Sequence, residues 1–352
     1  MTEIPYPSIV PPIEKDRRTG LMVFGIFALV IGALASCVAI ITPLGLLMAS
    51  VVPRRSGMQQ PSMGNVVSAI VVYAVVAAAF IAGGVGSIRT RRWARPLMLS
   101  VAWTWLIIGI FGLVFWIMMA PSMSAIMATS GGTGPGAPPA GFTQIVVVIM
   151  SVVMGLLYIV LPGVFILFYR SPHVKRTLEH FDPDPGWADR APVSVFGLAV
   201  GLGVTALFTL TMLGYGFFPL FGALLTGPAA WAATVGMAAS FGVAAWLVYR
   251  LSPAGWWLTM LISIVLPIMM IWSHYRIGAI TMYERMGMPP EQIDVMRQSA
   301  ALTGPLIPAC VVVLGIAGIV YLMAVRKFFA ASGASARGGD LGGGGGALGG
   351  DA

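Results

Sequence analysis

The chain has 352 residues, 58% of them hydrophobic and only 9% charged, with a formal net charge of +8. A soluble domain carries roughly 25% charged residues, so a water-facing surface is excluded for most of this chain, and the composition is that of a polytopic membrane protein. The basic residues stand in short clusters beside apolar runs, the pattern of topology determinants and lipid-headgroup contacts and not of a nucleic-acid site. Only two cysteines occur, Cys37 and Cys310, both inside apolar runs. That is too few for a disulfide scaffold or a thiolate zinc site.

Residues 1–19 form a polar leader with Pro5, Pro7, Pro11 and Pro12, expected to be extended and weakly ordered. Lys15, Arg17 and Arg18 precede an apolar run from Leu21 to Val52. This resembles a signal peptide, and Leu34-Ala35-Ser36-Cys37 matches a bacterial lipoprotein cleavage box. The chain nevertheless stays apolar after Cys37, and the run exceeds a signal's roughly 7–15-residue core. We read it as an uncleaved first span.

The second span covers about 65–88 and ends at Arg89, Arg91, Arg92 and Arg95; the third, about 96–120, carries Trp103, Trp105 and Trp116. A loop without a single charge is expected from Pro121 to Gln144, before a fourth span at about 145–169. Four more spans follow near 193–218, 229–249, 254–274 and 304–325. Each reaches the roughly 20 residues a helix needs to cross a bilayer. Helices are required, because backbone polar groups in hydrocarbon must pair internally and no alternating barrel pattern is present. The fold class is therefore all-α, a polytopic bundle of eight spans. It divides into a leader (1–19), a first four-helix half (20–169), a polar linker (170–192), a second half (193–326) and a Gly-rich tail (327–352) expected to be disordered.

Duplication of a four-helix unit would preserve orientation, and weak matches support it. Gly84 and Arg92 fall over Gly242 and Arg250, Gly155 and Tyr158 over Gly318 and Tyr321, and Val23-Phe24-Gly25 over Val195-Phe196-Gly197. Gly201, Gly203, Gly214 and Gly216 are expected to permit close helix approach, and Thr205, Thr209, Thr211 and Tyr215 to bond across helices. Pro162 and Pro267 should kink their spans. Trp93, Trp231, Trp256, Trp257 and Trp272 lie near span ends, as interfacial belts do.

With the N-terminus inside, the cytoplasmic segments hold Lys15, Arg17, Arg18, Arg89, Arg91, Arg92, Arg95, Arg170, Lys175, Arg176, Arg190, Arg250, Arg326, Lys327 and Arg337, which is 15 of the 20 basic residues. The other side holds Arg54, Arg55, Arg276, Arg285 and Arg297. The bias satisfies the positive-inside rule and puts both termini in the cytoplasm of a cell whose inner membrane holds the chain.

Inside the spans no acidic residue, Lys or Arg stands at mid-depth, which argues against proton relays, ion coupling and voltage sensing. No nucleophile–base set, zinc-helix motif, phosphate loop or dinucleotide fingerprint is present, so no catalytic, cofactor-binding or metal residue is assigned. The linker contains His173, Glu179, His180, Asp182, Asp184 and Asp189. His180-x-Asp182-x-Asp184 has ligand types for a divalent metal, but Pro183 and Pro185 set an extended backbone that splays them. The favoured reading is a short helix begun by Pro172, with Val174, Leu178 and Phe181 against the membrane and Lys175 and Arg176 toward headgroups. On the outer side Pro289-Pro290 open a helix over 289–300, with Ile293, Met296 and Ala300 on one face. It offers a surface to other membrane or periplasmic proteins; membrane lipids are the remaining partners.

The run Phe168–Val174 (FYRSPHV), Asp182-Pro183, Trp187, Asp189-Arg190 and Pro192 resembles a group of uncharacterised multi-pass bacterial membrane proteins that carry the same pattern between hydrophobic halves. The resemblance implies a bacterial membrane location and brings no activity with it. Three functions are weighed: a non-enzymatic structural or accessory membrane subunit, a facilitator of an uncharged or lipid-like solute through the seam between halves, and, last, an intramembrane enzyme, for which no acid–base pair is visible. The topology predicts that reporters fused after residue 130 and after Ala352 lie on opposite sides of the membrane. Equal labelling of both from outside would contradict eight spans.

Overall fold

A computed structural model describes residues 16–51, 63–130, 141–286, 288, 290, 293, 294, 297 and 304–340. Among the described residues, eight helices are long and apolar enough to cross a membrane. The elements are α1 (Arg18–Val51), α2 (Met63–Ile88), α3 (Ala94–Ser130), α4 (Phe142–Gly155), α5 (Leu161–Arg170), α6 (Pro172–Phe181), α7 (Val193–Thr211), α8 (Gly227–Tyr249), α9 (Pro253–Ile277), α10 (Ala279–Arg285) and α11 (Leu306–Asp340). α4 and α5 make one span joined by a turn of π-helix at Leu156–Val160. The chain is an all-α polytopic bundle, and its spans run alternately between a linker face, where residues 170–192 sit, and an opposite face.

The first half closes on itself. α1 packs on α2, α2 on α3 and α3 on α4–α5, and α5 returns to α1 through Phe24, stacked 4.0 Å from Phe168 and edge-on to Phe165. The second half repeats the order α7, α8, α9, α11. It closes where Leu322, Val325 and Phe329 share a core with Val195 and Phe196, and where the Tyr321 hydroxyl donates to the Ser194 carbonyl at 2.8 Å. α7 lies in the groove between α2 and α3 and joins the halves. The likeness of the halves rests on packing order, not on the matched residues. A Cβ on Gly84 would meet the Gly25 carbonyl at 2.8 Å, whereas Gly242 has open space; Arg92 binds carboxylates, whereas Arg250 lies 4.4 Å over Trp246.

Helices in lipid gain nothing from hiding apolar surface, so backbone proximity and van der Waals contact hold them together. The most extensive such contact is α1 on α2. Gly25, Ala28, Gly32 and Ala35 make a small-residue stripe at spacings of three and four, with Ala28 and Ala35 buried. A Cβ on Gly25 would stand 2.9 Å from the Gly84 carbonyl and one on Gly32 3.0 Å from the Ile81 amide. The glycines expected to do this in span five do not: Gly201 and Gly203 have nothing within 4 Å, and Gly216 turns the chain at φ +71. Nor do the span-five threonines bond across helices. Thr205, Thr209 and Thr211 donate back to Gly201, Thr205 and Phe208 of their own helix, the local option open to a hydroxyl on a helix.

Four further expectations are revised. α3 continues past Pro121 to Ser130, because the Met- and Ala-bearing stretch after the proline retains helix propensity. Span five ends before 218: α7 stops at Thr211, and β1 (Phe217–Leu220) pairs antiparallel with β2 (Ala223–Thr226) around Phe221-Gly222. Both turn residues have positive φ, as a two-residue hairpin needs, and Gly222 donates its N–H to Ser273 Oγ at 3.1 Å. Trp256 is a core residue, 5% exposed, whose indole N–H donates to the Leu322 carbonyl at 2.8 Å; Trp231, Trp257 and Trp272 keep the exposure of belt residues. Finally, α11 extends through 327–340, which the sequence assigns to the tail. Phe329 is buried beside α7 and the alanines after it are strong helix formers. Residues 341–352 lie outside the described residues, as do 1–15 of the leader.

Proline explains the π turn. Pro162 has no N–H for the carbonyl of Tyr158, four residues back, and the helix widens over Leu156–Val160. The Tyr158 carbonyl then abuts Gly109 of α3, and a Cβ there would overlap it. Gly109→Ala should therefore lower stability by about 1–3 kcal/mol through overpacking, read as a lower unfolding temperature in detergent. Gly112→Ala on the same helix, with open space around it, should leave that temperature unchanged.

Candidate functional site

The linker folds over the ends of several spans. Ser171 breaks the helix with ψ 133, and Pro172 starts α6 with the fixed φ that a first turn requires. The predicted helix is present over the predicted residues, but its apolar face turns elsewhere. Val174 and Leu178 are buried among Leu21, Met98 and Tyr169 of the bundle, not against lipid. Phe181 is exposed and carries the Arg18 guanidinium 5.3 Å over its ring. Thr177, also buried, accepts the Arg17 N–H at 3.2 Å and so fixes the start of α1. Lys175 and Arg176 do point outward.

Arg92, in the turn between α2 and α3, is the centre of the site. Its Nε lies 3.1 Å from Asp189 and its Nη2 3.7 Å from Glu179. Nη1 donates to the Pro183 carbonyl at 3.2 Å, and the backbone N–H to Asp182 at 3.0 Å. Every edge of this guanidinium is used, and all its acceptors belong to the linker. Thr90 makes the turn that presents it, at φ 51. A β-branched residue rarely adopts that conformation, and the Arg91 N–H closes the turn on the Gly86 carbonyl at 2.8 Å.

Asp189 also accepts the Gly186 N–H at 3.0 Å, which shapes the short turn Trp187–Asp189. The Trp187 ring lies between Trp93 and Phe196, and its carbonyl accepts the Tyr249 hydroxyl at 2.9 Å. Below, Arg95 gives its Nε to the Tyr169 carbonyl at 3.0 Å. The Tyr169 hydroxyl lies 2.6 Å from Ser87 Oγ, with both residues fully buried. The linker thus grips spans one, two, three, five and six, and Arg95 adds the end of span four.

A cavity of about 200 Å³ opens beneath these contacts, at the linker end of the seam between the halves. Its wall combines Arg92, Arg95 and Pro96 with Lys175, Leu178 and Glu179 of α6 and residues of the segment 188–193. The metal arrangement weighed in the sequence is not assembled. Asp182 faces the Arg92 amide and lies 3.6 Å from Arg91, Asp189 faces Arg92, and among the described residues no three His, Cys, Asp or Glu side chains converge. Sequence reasoning took the arginines after span two as topology signals only. Their neighbourhood with the acids of a loop some 90 residues later carries no local pattern that would pair them.

On the opposite face, Met296 and Ala300 of the expected 289–300 helix lie outside the described residues. Ile293 is buried, while Asp294 and Arg297 are exposed and 3.4 Å apart. Arg297 also reaches Glu284 of α10 at 3.9 Å, and burial raises the Tyr283 phenol above its ordinary pKa.

Removing the Arg92 side chain (Arg92→Ala) leaves Asp189 and Glu179 partly buried without their shared cation. The expected cost is on the order of 2–3 kcal/mol, against less than about 1 kcal/mol for Lys175→Ala at the exposed pair with Glu179. Thermal unfolding of both variants in detergent, with Arg92→Ala/Asp189→Asn closing the cycle, measures the difference. Comparison with protein-family models, with curated proteins and with solved structures yields no match to the chain, so the site has to be understood from its own geometry.

Proposed function

We propose that this integral membrane protein is a non-enzymatic structural or accessory subunit of a bacterial inner membrane, with the linker face and both termini in the cytoplasm. The observation that supports it is the way α7 fills the groove between α2 and α3. Gly197 lies against Ser100 there, so that a Cβ on it would be 3.2 Å from the Ser100 hydroxyl, and the ring of Phe196 packs beside Trp187. A seam closed by helix packing beyond the cavity at its linker end favours a scaffold over a conduit. The Arg92 contacts also bind the chain to itself and are not displayed as an acid–base pair. The FYRSPHV resemblance and the positive-inside bias support the bacterial membrane and the orientation.

The partner-facing elements of this reading are the broad apolar flanks of the bundle and the segment around Ile293. Only 6% of an apolar 18-residue stretch of the span Gln144–Arg170, and 11% of one in Leu306–Ala330, is buried within the chain. Purification in mild detergent after crosslinking should recover one or more membrane proteins in fixed ratio to this chain, with crosslinks at residues 288–297 or on α4. Flux of an uncharged solute through liposomes containing the pure chain alone, with no such partner recovered, would instead establish the facilitator.

A further inference from the structure

The cavity at the linker face has an arginine, Arg95, that feels Glu179 and Asp189 through space but, among the described residues, has no direct ion pair with either. Three cations line it, Arg92, Arg95 and Lys175, against two carboxylates, Glu179 and Asp189, so the wall carries 3 − 2 = +1. The carboxylates are already committed, since both face Arg92 and Glu179 also faces Lys175. Arg95 differs. Its Nε is held by the Tyr169 carbonyl at 3.0 Å, and among the described residues no carboxylate lies within ion-pair distance of it. That bond uses Nε on a residue that lines the cavity, so the two terminal nitrogens remain as the fork that can match two oxygens of a phosphate bidentately. Lys175, whose ammonium is 3.7 Å from Glu179 and largely exposed, is the second cation of the wall outside the Arg92 contacts.

Two further features suit an anion of that kind. α7 begins at Val193 on the cavity wall behind Pro192, a residue with no side-chain group to cap its first N–H groups, and such an end favours negative charge. The volume of about 200 Å³ is several times the roughly 30 Å³ of a liquid water, enough for a tetrahedral oxyanion and its substituent. The cavity also lies where α3 and α7 begin and α5 ends, and the ends of membrane spans are where phospholipid headgroups meet a protein.

We propose that this cavity is a phosphate-binding site, in which Arg95 supplies the bidentate fork and Lys175 the closing cation. The phosphate is that of a membrane phospholipid headgroup or a free phosphate species. The full-length chain in a phosphate-free glycoside detergent provides the test. Inorganic phosphate is titrated by calorimetry, and retention of phosphatidylglycerol against diacylglycerol of the same chains is measured by native mass spectrometry. Saturable binding of inorganic phosphate identifies the free-phosphate source; selective retention of phosphatidylglycerol alone identifies the headgroup. If the wild-type chain does neither, the site is overturned without any variant.

Arg95→Gln should weaken whichever interaction is found at least tenfold, and Arg95→Lys, which keeps the charge and loses the fork, by severalfold. Lys175→Ala should weaken it about threefold. Arg170→Ala, at the same membrane depth but off the cavity wall, should have no effect. Wild-type affinity in a folded Arg95→Gln chain, or an equal loss in Arg170→Ala, would assign the binding to general surface charge and refute the site.

Discussion

The structure depends on one constraint: in hydrocarbon the helices have no hydrophobic reason to prefer each other over lipid, so their order must be set by close backbone contact and by polar contacts at the membrane edge. The polar contacts centre on Arg92. A guanidinium 25% exposed, shared between Asp189, Glu179 and the Pro183 carbonyl, sits where dielectric is low enough to strengthen it and water near enough to limit the desolvation cost. Its partners all come from the linker, so the turn between spans two and three cannot move without moving the segment that starts the second half.

From this anchoring follows the uneven packing of the bundle. Near the linker face, rings of Phe24, Phe165, Phe168 and Tyr169 pack against each other, and Thr177 ties α6 to the start of α1. The small-residue stripe of α1 extends that order along α2. Away from the linker, α4 makes few contacts, and the wide turn before Pro162 separates it from α5. The two parts of one span are thus coupled differently to the rest: α5 is part of the core, and α4 is mostly lipid-facing surface. A membrane protein built this way has one closely packed end that holds its own halves in register and an opposite end whose apolar flanks are exposed.

The closing of each half by its fourth span onto its first is a property of packing order that the matched residues do not explain. Gly84 is required by the approach of α1, while Gly242 faces open space, and Phe24 and Phe196 reach their fourth spans through different partners. Whatever the history of the two halves, the contacts that hold them today are separate solutions to the same topological problem.

By itself the sequence determined the eight crossings, the polar linker with its short helix, and the exclusion of charge from mid-membrane. These depend on hydropathy and charge summed over contiguous residues, which the bilayer reads locally. Tertiary structure alone decided which face of α6 is buried, that Trp256 belongs to the core, that Gly25 and Gly109 rather than Gly201 meet a neighbouring helix, and that Arg92 joins the linker acids while Arg95 stays open to a cavity. The reason is that lipid and helix surfaces are equally apolar, so a membrane helix carries little periodic signal of which side meets protein. Partners that are distant in sequence become neighbours only once the spans have chosen their places.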